Sequence, residues 1–301
     1  MGDSLHQIQL NFTEDSLFVL NLSLGFIMFG VSLSLDKAQF VEIAKNPKAV
    51  VVGFISQFLL LPILTYLLVI IIDPIPGLAL GMILVAACPG GNVSNFFSQQ
   101  SGGNVALSIS LTAIATVGAV FLTPINFEFW SSLYMDNAMD STIKLEFWKM
   151  LKTVLTLLFI PLLLGLWFSS KFKKITKVIA KPIRIISLII LSAFIVIAFL
   201  KNIDLFTQYY HLIIYIVLIH NAIALGSGYM LAKLNKLSIQ DRRTISIETG
   251  IQNSGLALVI IFTLFDGNGG MALMAAWWGI WHIISGFIIS SIYSRKKTIL
   301  V

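Results

Sequence analysis

The sequence predicts an all-α polytopic membrane protein of nine transmembrane helices, arranged as an inverted repeat with two of the helices broken. Three observations carry this. Only 11% of the 301 residues are charged against 57% hydrophobic, and the mean hydropathy is +0.91; a soluble domain carries about 25% charged residues. Apolar stretches of roughly 18 residues or more, the length a bilayer requires, recur along the chain. Two of those stretches are interrupted near their middle by helix breakers and a dense polar cluster.

Nine segments, A to I, cover residues 16–34, 49–72, 76–101, 104–124, 147–168, 183–201, 210–232, 243–265 and 270–293. The connections justify them in order. Lys37, Lys45 and Lys48 follow A, Asp73 follows B, and the hydrophilic stretch 125–146 with Glu128, Asp136, Asp140 and Glu146 follows D. Lys171, Lys173, Lys174, Lys177, Lys181 and Arg184 separate E from F, and Lys201 and Asp204 follow F. Lys233, Lys236, Arg242 and Arg243 precede H, Asp266 follows it, and Arg295, Lys296 and Lys297 follow I. Sixteen of the twenty basic residues thus fall on one side. Lys and Arg gather on the cytoplasmic face, so the amino terminus is expected outside and the carboxyl terminus inside the cell (inner) membrane.

The same pattern accounts for the net charge of +6 without a nucleic-acid partner. No basic region precedes the first apolar stretch, which reads as a retained span and not a signal peptide. The connection 125–146 is too short to fold alone, so residues 1–301 form a single transmembrane unit. A lone cysteine, Cys88, excludes an intramolecular disulfide and any cysteine-built metal site.

Segment C holds Cys88-Pro89-Gly90-Gly91-Asn92-Val93-Ser94-Asn95 at mid-depth. Proline removes a backbone donor and clashes with the preceding turn, and glycine costs entropy in a helix. Segment H holds Glu248-Thr249-Gly250-Ile251-Gln252-Asn253-Ser254-Gly255 at a similar depth. Non-helical backbone survives there only when buried in protein or lining a cavity. C runs inward, H runs outward, and they lie five segments apart, as an inverted repeat requires. A to D then answer to F to I, and E is the first span of the second repeat, without a counterpart in the first. A Pro or Gly alone often only kinks a membrane helix; a pair of breaks at repeat-related positions points to a transporter's binding site.

Glu248 is the one acid that cannot be placed at a segment end. A charge at that depth costs ~2.5–3.5 kcal/mol even on insertion scales, which marks a functional site. A helix puts Gln252, four residues on, on the same face. Ser108 and Thr112 share that spacing in D, Ser94 and Asn95 follow the break in C, and Gln57 lies mid-membrane five residues before Pro62. One carboxylate among hydroxyls, carboxamides and free carbonyls suits a small hard cation. One sodium ion would balance it; a proton could use Glu248 equally but needs fewer neutral oxygens. His282, beside Trp281, and the pair His220-Asn221 read singly as satisfied core residues. Trp130, Trp148 and Trp167 read as interfacial anchors, while Trp277, Trp278 and Trp281 could pack the core or line a cavity. No hydrolase or metalloprotease motif supports an intramembrane enzyme, and a passive channel would not need two inverted breaks around one acid.

Together these motifs, with Phe26-Ile27-Met28-Phe29-Gly30, Leu107-Ser108, Thr112 and Trp281-His282, resemble the bile acid:sodium symporter family over nearly the whole chain. The resemblance implies the nine-span form, with C and H crossing at their breaks. It implies core helices over 49–124 and 210–293 and panel helices over 16–34 and 147–201. It also implies two sodium ions: one at Ser94, Asn95, Ser108, Thr112 and Glu248, the other at Gln57, Glu248 and Gln252 with carbonyls of Thr249 and Ile251. An organic anion, bile-acid-like or a smaller carboxylate, would lie near Asn92, Asn253 and His282 between core and panel. Its uptake would follow sodium; a proton-coupled organic-anion carrier is the alternative, and no obligate protein partner is implied. Many bacterial members have Asn after the Trp-His pair, where Ile283 stands here, which leaves substrate identity open and the sodium ligands untouched.

Overall fold

The computed structural model describes residues 14–33, 47–91, 93–137, 147–201 and 203–298. Among them the regular structure is helical throughout. In chain order the helices are α1 (Glu14–Leu33), α2 (Pro47–Ile72), α3 (Pro76–Ala87), α4 (Ser94–Gln100), α5 (Val105–Asn137) and α6 (Phe147–Lys171). Then follow α7 (Lys173–Lys201), α8 (Ile203–Leu234), α9 (Ile239–Gly250), α10 (Ser254–Leu264) and α11 (Gly269–Thr298). Among the described residues five helical stretches, in α2, α5, α6, α8 and α11, are long and apolar enough to cross a membrane. The chain is an all-α membrane protein.

Several boundaries differ from the sequence reading. Segment D was expected to end at 124, yet α5 continues through Pro124 to Asn137. Its inward face keeps a helical spacing there: Phe127 and Tyr134 are buried in the main core, and Trp130 packs on it. Much of the expected hydrophilic connection 125–146 is therefore helix, and residues 138–146 lie outside the described residues. Segment F was drawn from 183, whereas α7 starts at Lys173 and takes in the basic run. Segment G was drawn from 210, whereas α8 starts at Ile203. Polar ends of long helices have no apolar signature, which is why they were read as loops. Lys37 and Lys45 also lie outside the described residues.

Both predicted breaks are present, and they meet. Segment C divides into α3 and α4, with extended backbone at Cys88 (φ −72°, ψ 155°). Segment H divides into α9 and α10, with extended backbone at Ile251 (φ −108°, ψ 97°). Gly90 pairs with Gln252 in a short antiparallel bridge, where Gly91 N–H donates to Ile251 O (2.7 Å) and Asn253 N–H to Pro89 O (2.9 Å). Each break satisfies the other's free backbone groups, as a water-poor interior demands.

Around this crossing, α3 and α10 are apolar on every side and buried nearly throughout, the pattern of a central helix. α3 packs on α11 and α5, α8 packs on α9 and α11, and α1 packs along α6 and α7. α3 and α11 approach at Gly77 and Gly270, where a Cβ on Gly270 would sit 2.8 Å from Gly77 backbone; small residues allow such contact between membrane helices. Trp278 is fully buried in the core, whereas Trp148 and Trp167 are exposed and Trp130 is half-buried against Tyr66.

Gly270→Val forces the two backbones apart and is expected to cost about 1–3 kcal/mol, the usual penalty of overpacking. A lowered unfolding midpoint in detergent micelles would show it, and an unchanged midpoint would contradict the close crossing.

Candidate functional site

Glu248 stands in the last turn of α9, immediately before the break, and is 4% exposed. Its Oε1 accepts from Ser94 Oγ of α4 (2.5 Å) and from Ser108 Oγ of α5. Thr112 Oγ1, one turn further along α5, lies 3.3 Å from Oε1 and 3.1 Å from Oε2. Thr112 Oγ1 also faces Ser108 O (3.0 Å) and Asn95 Oδ1 (3.5 Å), so its single proton has several acceptors. Hydroxyls from two helices thus surround a carboxylate carried by a third. Gly90 makes the wall: a Cβ there would lie 3.0 Å from Glu248 Oε2 and 3.8 Å from Gln57 Oε1. A glycine is required for that approach of backbone to carboxylate.

The second predicted group gathers on the other side of Gly90. Pro62 has no N–H to donate, and α2 widens just before it into a π-turn over Ser56–Leu60, closed by Leu61 N–H to Ser56 O. The wider turn lets two successive side chains reach the break. Gln57 Nε2 donates to Cys88 O (3.0 Å) and Gln252 Oε1 (2.7 Å). Gln252 Nε2 donates to Thr249 O (2.6 Å) and approaches Gln57 Oε1 at 3.3 Å. Ile251 O takes the crossing bond from Gly91 N–H. Ser56 Oγ lies 2.7 Å from Thr249 Oγ1, which itself donates to Ile245 O (2.8 Å). Ser56 is therefore the donor of that pair.

The remaining predicted residues are less tightly assembled. Asn253 caps α10, its Oδ1 accepting from Leu256 N–H (3.0 Å). His282 is buried on α11 with no partner for Nδ1 among the described residues. It lies one turn after Gly279, where α11 meets Ser254. Asn92 lies outside the described residues.

Two contributors escaped the sequence reading. Asn221 Nδ2 of α8 donates to Gly250 O (2.8 Å), the last carbonyl of α9. Ser254 N–H, which an unbroken helix would give to that carbonyl, goes instead to Gln252 O. Ser56 was the other, masked by lying in an apolar run with a residue type common in helices. A usable signal existed for Asn221: it is an intramembrane amide in the segment that answers to the one carrying Gln57. His220 beside it does behave as a core residue, with Nε2 2.7 Å from Thr65 Oγ1 and its ring on Trp278.

The arrangement offers one negative charge, many neutral oxygens and two half-helices meeting at mid-depth. No cluster of three or more His, Cys, Asp or Glu occurs among the described residues. Such a combination is the pattern of a transporter's binding site. The comparisons with known proteins agree: residues 21–209 match the model of the Sodium Bile acid symporter family, and the chain belongs to that family. It is 30% identical to an uncharacterized sodium-dependent transporter of Bacillus subtilis, over 95% of this chain and 88% of the relative. It is 28% identical to a probable chloroplastic sodium/metabolite cotransporter of Arabidopsis thaliana, over 95% of this chain and 69% of that protein. It is likewise 28% identical to the human sodium-dependent organic anion transporter, over 93% of this chain and 73% of that protein. The chain is a transport protein, not an enzyme.

Asn221→Leu leaves the Gly250 carbonyl buried without a donor and is expected to cost about 1–3 kcal/mol. Chemical or thermal unfolding in micelles would register the loss; parent-like stability would mean that α9 ends without that support.

Proposed function

We propose that the chain is a sodium-coupled secondary active symporter that imports an organic anion by alternating access. The observation that carries this reading is the Glu248 carboxylate, set among oxygens of Ser94, Ser108 and Thr112 beside two crossing helix breaks. One sodium ion would take Ser94, Asn95, Ser108, Thr112 and Glu248. A second would take Gln57, Gln252, Glu248 and the carbonyls of Thr249 and Ile251. The hydroxyls that now donate to Glu248 have lone pairs to offer an ion, and the Gln57–Gln252 amides can turn their oxygens to it.

Charge then explains the coupling. Glu248 alone is negative, and two sodium ions would leave the site with a net positive charge. A substrate anion restores neutrality. An unbalanced charge at this depth is costly, so the fully loaded transporter, whose charges cancel, moves more easily than one holding sodium alone. The amino end of α10, which opens at the crossing, adds a partial positive charge. Substrate would sit near Asn92, Asn253 and His282; the human relative's name supports an organic anion, and Ile283 bears on which one.

Nine spans follow if α3 with α4, and α9 with α10, each count as one. Segments 49–124 and 210–293 would form the core, and 16–34 with 147–201 the panel. The packing of α1 on α6 and α7 supports that division. The basic loops support an outside amino terminus, a cytoplasmic carboxyl terminus and residence in the cell (inner) membrane.

Uptake of labelled organic anions into proteoliposomes tests the proposal: an inward sodium gradient is expected to drive accumulation with a sigmoidal sodium dependence. Equal uptake with potassium on both sides would contradict it. Gln57→Ala and Thr112→Ala each remove a ligand of a different ion and should raise half-saturating sodium roughly tenfold, the equivalent of about 1.4 kcal/mol. Unchanged sodium dependence in both would reject the ligand assignment.

A further inference from the structure

Three polar stripes, buried except at the half-buried Asn104, run away from Glu248 in the same direction. On α4 and its end they are Ser94, Ser98 and Ser101; on α9 they are Glu248, Thr244 and Asp241; on α5 and just before it, Thr112, Ser108 and Asn104. The spacings of three and four residues keep each set on one helical face. All three stripes end at the turn between α4 and α5, through Gly102 (φ 66°), and at the start of α9. The far ends are joined: Asn104 Nδ2 donates to Asp241 Oδ1 (2.9 Å), and Thr244 Oγ1 donates to Asn104 O (3.1 Å). Gly103 marks where the stripes converge. A Cβ there would lie 2.6 Å from Thr244 Oγ1, 3.0 Å from Ser98 O and 3.2 Å from Ser101 Oγ.

Local structure explains part of this. Ser238 Oγ caps α9 by accepting from Asp241 N–H (3.1 Å), and Asn104 Oδ1 caps α5 by accepting from Leu107 N–H (3.1 Å). It does not explain Ser98. That hydroxyl is fully buried, yet its Oγ has no hydrogen-bond partner among the described residues. Elsewhere in these helices Ser110 and Thr116 bond back to the carbonyl four residues earlier, at Ala106 and Thr112. A buried hydroxyl left unpaired is disfavoured, and this one lies one helical turn from Ser94, a proposed sodium ligand.

We infer that the three stripes form the inward exit for sodium, with a transit station at Ser98 and Thr244 and a mouth at Asn104 and Asp241. The inference rests on the symport reading and its topology. From Glu248 to Asp241 is seven residues of α9, or about 10 Å, and each step of one turn offers an ion another side-chain oxygen. The second carboxylate, Asp241, draws the cation away from Glu248 toward the inner mouth. Its pull is tempered by Arg243, whose Nη1 donates to Ser101 O (2.8 Å) and whose guanidinium lies over the Tyr293 ring at 5.7 Å. A conducting site must bind weakly enough to release, and a neighbouring positive charge provides that.

The parent has one cysteine, Cys88, which is wholly buried, so introduced thiols can be followed against it. Ser98→Cys and Thr244→Cys are placed on the stripes; Ser110→Cys, buried on α5 but off them, is the control. In inside-out membrane vesicles, both stripe variants are expected to react roughly tenfold faster with cationic aminoethyl methanethiosulfonate than with its anionic sulfonatoethyl analogue. They should also outpace Ser110→Cys and the parent, and sodium should slow them severalfold relative to potassium. Rates equal to the control, or indifferent to reagent charge, would overturn the exit. Serine and cysteine are nearly isosteric, and either stripe variant alone suffices. A parent still stabilised by sodium alongside unreactive stripe variants overturns only the exit, whereas a parent unaffected by sodium overturns the symport reading itself.

Discussion

The backbone crossing between the two breaks is the constraint on which the rest of the structure depends. Gly91 N–H to Ile251 O and Asn253 N–H to Pro89 O replace helical bonds that both segments have given up. Without that exchange, peptide groups would lie unpaired at membrane depth, each costing several kcal/mol. The crossing also requires Gly90 and Gly91, because a Cβ at either would press against Glu248 or Gln252. Sequence, backbone and site are therefore fixed by the same few residues. The carboxylate is held where it is because the chain opposite has no side chain.

Two amides extend this logic outward. Gln57 donates to Cys88 O just past the end of α3, and Asn221 donates to Gly250 O at the end of α9. In the repeat we propose, α2 answers to α8 and α3 to α9, so the two amides hold equivalent half-helix ends. Thr65 of α2 and His220 of α8 bond to each other, tying the two supports together. The equivalence is incomplete in one respect. Gln57 also reaches Gln252, with which it forms the proposed second ligand group, while Asn221 reaches only the carbonyl. The amide of the first repeat supports the crossing and is a proposed ligand; the amide of the second supports the crossing alone.

The breaks and the polar faces were legible in the sequence because their chemistry is unusual at membrane depth. Pro89-Gly90-Gly91 and Gly250 to Gly255 could not continue a helix, and Glu248 could not be there without partners. The spacing of Ser108 and Thr112 placed both hydroxyls on the face that meets it. Helix ends were read less well: α5 and α7 extend through polar residues that hydropathy assigns to loops. Ser56 was missed because the π-turn that aims it depends on Pro62, six residues on, and a regular helix would turn it elsewhere. Asn221 was missed because one amide in an apolar helix has a bland explanation until the carbonyl opposite it is known to be free. The sequence signals type and spacing, but not which backbone groups a break leaves unpaired.

In the proposed site one carboxylate would serve two cations, and a second buried acid would add a further charge to neutralise whenever the transporter returned empty. That sharing concentrates the chemistry in a single side chain. Sodium-dependent stability is accordingly the most direct measurement. Sodium at a hundred times its Kd should stabilise the parent by about 2.7 kcal/mol per site, seen as a rise in unfolding temperature over potassium. Glu248→Gln keeps the shape of the side chain and removes the charge, so it should fold and lose that sodium-induced rise. A sodium effect undiminished in Glu248→Gln would contradict the central place given to this carboxylate.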